Sequence, residues 1–121
     1  MTNKPTLVIG ASTNPSRYSH FAIHLLRKYG HDVVALAKKE GQVADVLIQT
    51  NFPENYGIHT VTMYVGSQRQ EEYYQPILDL KPRRVIFNPG AENSEFAKML
   101  EENRIEAIEA CTLLLLNTGQ Y

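Results

Sequence analysis

Thr6-Leu-Val-Ile-Gly10-Ala-Ser-Thr-Asn-Pro15-Ser-Arg17-Tyr-Ser19 passes from a short apolar run into a loop of small polar residues and proline. The apolar run suits a buried strand, Gly10 permits a tight turn, and the Ser, Thr, Asn and Pro that follow favour turns and helix starts. Beyond the loop, Phe21 and Leu25, then Ala22, Leu26 and Tyr29, fall on neighbouring turns as one apolar stripe, so the spacing predicts a helix over 18–29. Gly30 stands where a helix often ends on a left-handed residue. Asp32-Val-Val-Ala-Leu-Ala37 then reads as a second strand and completes a β-α-β unit.

The same alternation carries on to the end of the chain. Val46-Leu-Ile-Gln-Thr50 is a weaker strand closed by Asn51-Phe-Pro53, and His59-Thr-Val-Thr-Met-Tyr-Val65 is a stronger one. Tyr73, Ile77 and Leu80 share a helical face, with Pro76 placed to kink that helix. Arg84-Val-Ile-Phe87 is the next strand, ended by Asn88-Pro-Gly90. Asn93 or Ser94 then caps a helix that turns Phe96 and Leu100 inward and runs to about Asn103. Ile105 to Ala110 forms a last strand, and Cys111-Thr-Leu-Leu-Leu-Leu-Asn117 packs as a terminal helical turn with Gly119 just past its end. Short Val-, Ile- and Thr-rich runs separated by helical stretches indicate parallel strands covered on both faces. The expected fold is α/β, three-layered and doubly wound, with a mostly parallel sheet of five to six strands.

A chain of 121 residues with 43% apolar residues can hide about two thirds of its unfolded surface, which suffices for one core and one domain over residues 1–121. A net charge of −1 and no long basic run argue against nucleic acid and membrane surfaces as partners. No stretch approaches the roughly 18 apolar residues of a spanning helix, and the opening MTNKPTLVIG lacks the long apolar region of a signal peptide, so the expected location is cytoplasmic. The lone Cys111 cannot form an internal disulfide, and four scattered histidines give no zinc spacing.

In a doubly wound sheet, ligands bind beyond the carboxyl ends of the strands where the strand order reverses. The first loop lies at that edge. Gly10-Ala-Ser-Thr-Asn-Pro15 is not G-x-G-x-x-G, because Ser12 and Pro15 stand where the second and third glycines would. Gly10 still allows the turn, the next helix start can present amides to a phosphate, and Ser12, Arg17 and Ser19 can add donors. A capped helix with a surface arginine fits the same residues. Dinucleotide enzymes usually place an acid about 20 residues beyond the glycine loop for the ribose hydroxyls. Here Lys38 and Lys39 follow the second strand, which suits a ribose 3′- or 2′-phosphate, unless they are only a solvated surface pair.

Leu-Val-Ile-Gly10-Ala-Ser12-x-x-Pro15-x-Arg17-x-Ser19 followed by Gly30-His-Asp-Val-Val-Ala35 resembles the opening of the small stand-alone coenzyme A-binding proteins. These share a Rossmann-like fold with the CoA-binding domain of succinyl-CoA synthetase. The likeness continues through His59 to Val65, Asn88-Pro-Gly90-Ala-Glu92 and Glu109-Ala-Cys111-Thr, and so spans nearly the whole chain. It implies a coenzyme A or acyl-CoA ligand with its phosphates over Gly10 to Ser19, a segment that includes Ala11, Ser12, Thr13, Pro15 and Arg17. It also implies Lys38 or Lys39 near the ribose phosphate and Val65-Gly66-Ser67 beside the pantetheine. Many members carry Asn-Pro after the second strand, where this chain has Ala37-Lys38.

The resemblance implies no established reaction for stand-alone members, and no catalytic residue is assigned. Cys111 reads as a packed thiol rather than a nucleophile. His20 and His24 are four apart, but no third ligand is evident and no metal is proposed. Glu92 can reach the crevice or cap the next helix. Two other readings stand beside a small-molecule nucleotide ligand. One is an NADP-dependent reductase. The other is a vestigial nucleotide-binding scaffold, with Tyr73-Tyr74 and the apolar tail as a contact surface for a protein partner or a second copy.

Overall fold

The computed structural model describes residues 2–54 and 57–121. In chain order the elements are β1 (Thr6–Ile9), α1 (Tyr18–Lys28), β2 (Val33–Leu36), β3 (Gly41–Val43), β4 (Val46–Gln49), β5 (Thr60–Met63), a 3-10 turn (Ser67–Arg69), α2 (Glu71–Leu80), β6 (Arg84–Phe87), α3 (Ser94–Glu102), β7 (Glu106–Glu109) and α4 (Thr112–Asn117). The strands form one sheet in the order β3-β4-β2-β1-β5-β6-β7. Every neighbouring pair is parallel except β3 with β4. The α/β, doubly wound expectation holds, but the sheet has seven strands rather than five to six.

The extra strand is β3, which turns back through Ala44 and Asp45 to pair with β4. Ala44 takes φ 54, a conformation usually left to Gly or Asn, so the turn carries no sequence signal. It is held from outside: Arg27 on α1 donates two 2.9 Å hydrogen bonds to the Asp45 carboxylate. The connection from β4 to β5 contains no helix among the described residues. Pro53 and Ile58 are buried there instead, while Leu47 on β4 is 71% exposed.

Strand alternation divides the core. Leu7 and Ile9 join Val61, Met63, Val85 and Phe87 under α2 and α3, which contribute Tyr73, Ile77, Phe96 and Leu100. Val8, Ala35 and Ile86 face the other way, under Ile23 and Leu26 of α1 and Leu116 of α4. The α1 stripe is therefore rotated from the expected one. Ile23 is fully buried, whereas Phe21 is 52% exposed, because the helix presents Ser19, Ala22, Ile23 and Leu26 to the sheet. The other expected elements lie within one to three residues of their reading. Asn93 caps α3 by accepting from the Phe96 amide at 3.0 Å. The helix α2 continues past Pro76, and Gly30 takes φ +83 just beyond α1. No helix among the described residues is long and apolar enough to cross a membrane.

Candidate functional site

The sheet order reverses about β1. From there the chain proceeds to β2 and β4 on one side and to β5, β6 and β7 on the other, so the carboxyl ends of β1 and β5 diverge into a crevice. That crevice measures about 780 Å³. Its floor and one wall come from the loop after β1: Gly10, Ala11, Ser12, Ser16, Arg17, Tyr18 and Ser19. Ala37 and Lys38 enter from β2. The opposite wall is Tyr64, Val65, Gln68 and Arg69 after β5, with Glu72 and Tyr73 from α2 and Pro89 after β6.

The loop after β1 is braced by its own polar groups. Ser12 Oγ accepts from the Asn14 amide at 3.0 Å. Asn14 Oδ1 accepts from the Ser16 amide at 3.0 Å and from the Ser16 hydroxyl at 2.8 Å. His20 Nδ1 lies 3.0 Å from Ser12 O, so the tautomer protonated at that nitrogen ties α1 back to the loop. Gly10 has φ +93, and a Cβ there would lie 3.1 Å from Val65 Cγ2 and 3.2 Å from the Tyr64 carbonyl carbon. Its role is to let β1 end hard against β5. The Gly10 and Ala11 amides both donate to Leu36 O, at 3.0 and 3.1 Å, and so face β2 rather than a ligand. Arg17 stands at the N-cap of α1 without capping it by its side chain, and its carbonyl accepts from the His20 amide at 3.1 Å. Among the described residues no side chain caps the first turn, which is the arrangement that suits a phosphate.

Two buried networks hold the other strand ends. The Gln70 amide nitrogen donates to Val65 O at 2.8 Å and Ala91 O at 2.7 Å, joining the loops after β5 and β6. Its oxygen accepts from Asn93 at 3.0 Å. Asn88 donates to Thr62 Oγ1 at 2.7 Å and to Met63 O at 2.9 Å, and accepts from the Thr112 amide at 2.9 Å. The Tyr64 hydroxyl is enclosed beside Thr112 and Thr62 without a well-formed hydrogen bond among the described residues, and burial pushes its ionisation far above the ordinary tyrosine range.

Among the described residues, three cations and one acid line the crevice: Arg17, Lys38, Arg69 and Glu72. Lys38 is ion-paired with Glu72, and its ammonium lies 5.7 Å from the Tyr73 ring centroid. The hydrogen bond to Glu72 raises its pKa. Among the described residues, the Arg17 and Arg69 guanidinium groups make neither an ion pair nor a hydrogen bond.

Of the residues read from the sequence, Gly10, Ala11, Ser12, Arg17, Ser19, Lys38 and Val65 come together here. Thr13, Pro15, Lys39, Gly66 and Ser67 lie outside the lining. Thr13 turns toward β3, where its Cγ2 would be 2.5 Å from a Cβ at Gly41. Gly66 and Ser67 open the 3-10 turn, which brings Gln68 and Arg69 to the crevice in their place. The signal that could have found Arg69 is a basic residue just past the carboxyl end of the strand beside β1. Glu92 neither lines the crevice nor caps α3; it accepts from the Gly90 amide at 2.8 Å. Cys111 is half-buried at the head of α4, outside the lining. Of the expected contact surface, Tyr73 is 8% exposed and the half-buried Tyr74 stacks on Phe96 at 4.2 Å, while Leu114 of the apolar tail is 64% exposed.

No curated protein matches the chain. Among solved structures, one described as an uncharacterized protein is 40% identical over 100% of both chains, with a TM-score of 0.96. A protein from Thermus thermophilus is 20% identical over 98% of this chain and 91% of its own, with a TM-score of 0.87. A hypothetical protein from Pyrococcus horikoshii OT3 is 20% identical over 96% of this chain and 83% of its own, also at 0.87. At that identity the last two speak for the fold alone. Family membership rests on the sequence from Lys4 to Asn117: residues 4–117 match the CoA binding domain, and the chain belongs to that family.

Proposed function

We propose that the crevice between the ends of β1 and β5 holds coenzyme A or an acyl-CoA, and that residues 1–121 act as a single CoA-binding domain. The observation that carries this reading is the pair of arginines. Arg17 and Arg69 come from two different loops of one crevice, and neither guanidinium has a partner among the described residues. Such groups suit bidentate hydrogen bonds to a pyrophosphate. The uncapped start of α1 adds amides and the positive end of a helix dipole on the same side. Lys38 is the residue for the ribose 3′-phosphate, and Lys39 has no part in it. Val65 and Gln68 lie along the pantetheine, and family membership supports the choice of ligand.

A panel of melting curves tests the proposal, since a ligand that binds only the folded chain stabilises it by RT ln(1 + [L]/Kd), about 2.7 kcal/mol at a hundredfold excess over Kd. For this chain length that corresponds to a shift of about 10 °C. CoA and acetyl-CoA should give it, NADP less and NAD almost none. Arg17→Ala/Arg69→Ala should lose the shift while melting as wild type does without ligand. A larger shift with NADP than with CoA would replace this reading by a reductase, and no shift with any nucleotide would remove the ligand altogether.

A further inference from the structure

We infer that Glu72 is a specificity-determining residue that competes with the ligand for Lys38, so that it limits how far a nucleotide with an extra ribose phosphate is preferred over one without it. This rests on the reading of the crevice as a CoA-type site. Among the described residues, Glu72 is the single carboxylate in a lining that carries Arg17, Lys38 and Arg69. Its place in the first turn of α2 favours the helix dipole, but Glu71 meets that need as well. The dipole does not account for the ion pair, which joins the end of β2 to the start of α2 across 34 positions of sequence.

The pair is shared between water and the crevice, with Lys38 76% and Glu72 51% exposed, so it exchanges partners easily. A phosphate monoester carries about −1.5 to −2 charges near neutral pH and three acceptor oxygens, and so outbids a carboxylate for one ammonium. Tyr73 is a buried, fixed wall under Lys38, and its ring face keeps the ammonium at the crevice whichever anion it meets. Once Lys38 turns to the phosphate, Glu72 is left unpaired beside it, and like charges at that range repel. Both effects fall on the phosphorylated ligand. A ligand without that phosphate leaves the ion pair intact.

The experiment is calorimetry of CoA and dephospho-CoA on wild type, Glu72→Gln, Lys38→Gln and the double variant. Glu72→Gln should tighten CoA about three- to fivefold and dephospho-CoA by less than about 1.5-fold, as an exposed ion pair allows. In the Lys38→Gln background the same change should move CoA by less than about twofold, because no pair is left to break and only the screened repulsion between Glu72 and the phosphate remains. Raising the salt to about 0.5 M should shrink the gain. Equal tightening of both ligands would overturn the inference in favour of general repulsion. Unchanged or weaker CoA binding by Glu72→Gln would overturn it outright. Wild-type protein that binds neither ligand would instead sink the CoA reading itself, before any variant is compared.

Discussion

Gly10→Ala is predicted to damage the fold rather than the binding. The residue sits at φ +93, where an L side chain costs about 1–2 kcal/mol. The added methyl would meet Val65 Cγ2 at 3.1 Å and both the carbonyl carbon and Cβ of Tyr64 at 3.2 Å. Val65 could rotate away, but the Tyr64 backbone is pinned by its amide bond to Ile9 O at 2.9 Å, so β1 and β5 would have to part. Overpacking of this kind costs about 1–3 kcal/mol, giving a loss of about 2–5 kcal/mol with the strain included. An unfolding entropy of about 0.25 kcal/mol/K for 121 residues converts that into a fall in Tm of about 8–20 °C. Gly30→Ala provides the comparison. It shares the positive φ, at +83, but nothing lies within 4 Å of its Cβ, so strain acts alone and the fall should be about 4–8 °C. Melting curves and urea titrations of both variants without ligand read the difference. A Gly10→Ala protein that melts within about 3 °C of wild type, or no lower than Gly30→Ala, would refute the claim that contact with β5 fixes this glycine.

Gln70→Leu should leave the carbonyls of Val65 and Ala91 buried without their donor, at a cost of about 1–3 kcal/mol and about 4–12 °C in Tm. A melting curve superimposable on wild type would show that water reaches both carbonyls. The pH profile should follow His31, which is fully buried, accepts the Lys4 amide at Nδ1 and has its pKa lowered by burial first and by Lys4 next. Because the unfolded chain then binds the proton more readily than the folded one, stability is complete above about pH 6.5 and falls as the solution is acidified below it. The fall is at most about 1.4 kcal/mol for the first pH unit from this histidine. His59, lowered in the same direction by burial, adds to it. Urea titrations from pH 7.5 to 5.5 that show no change in stability would contradict the assignment.

The parts of the fold that could be read from sequence are those whose signal is local. An apolar run, a glycine and a helical stripe lie consecutively from Thr6 to Gly30, and each is sufficient by itself to mark its element. The cap of α3 was legible to within Asn93 or Ser94 for the same reason: the acceptor role of Asn93 involves a residue only three positions away. β3 was not legible, since Gly41-Gln-Val43 is too short to show a period and its turn depends on Arg27, far back on α1. Phe21 shows a related limit. A stripe containing Phe21 and Leu25 and a stripe containing Ile23 and Leu26 both fit helical spacing, and the sheet selected the second. The crevice followed the same rule. The β1 loop named most of its own contributors, whereas Arg69, Glu72 and Tyr73 arrive from elements whose approach depends on strand order.

The buried amides and hydroxyls at the ends of β5, β6 and β7 and the exposed cations of the crevice have different tasks, and the division makes binding and stability separable. Gln70, Asn88, Thr62 and Thr112 are buried, and they tie the ends of β5, β6 and β7 to one another through hydrogen bonds of 2.7 to 2.9 Å. Removing any of them strands a partner away from water, so its loss registers first in stability. Arg17, Arg69 and Lys38 stand exposed around the crevice, and among the described residues their side chains hold nothing of the fold beyond the contacts of Lys38 with Glu72 and Tyr73. Their loss should leave the fold nearly untouched and appear only when an anion is present. Gly10 belongs with the buried group despite lining the crevice, because its amide faces β2 and its missing side chain makes room for β5. A substitution there that weakened a ligand would therefore act through the spacing of the two loops, and not through a lost contact with the ligand itself.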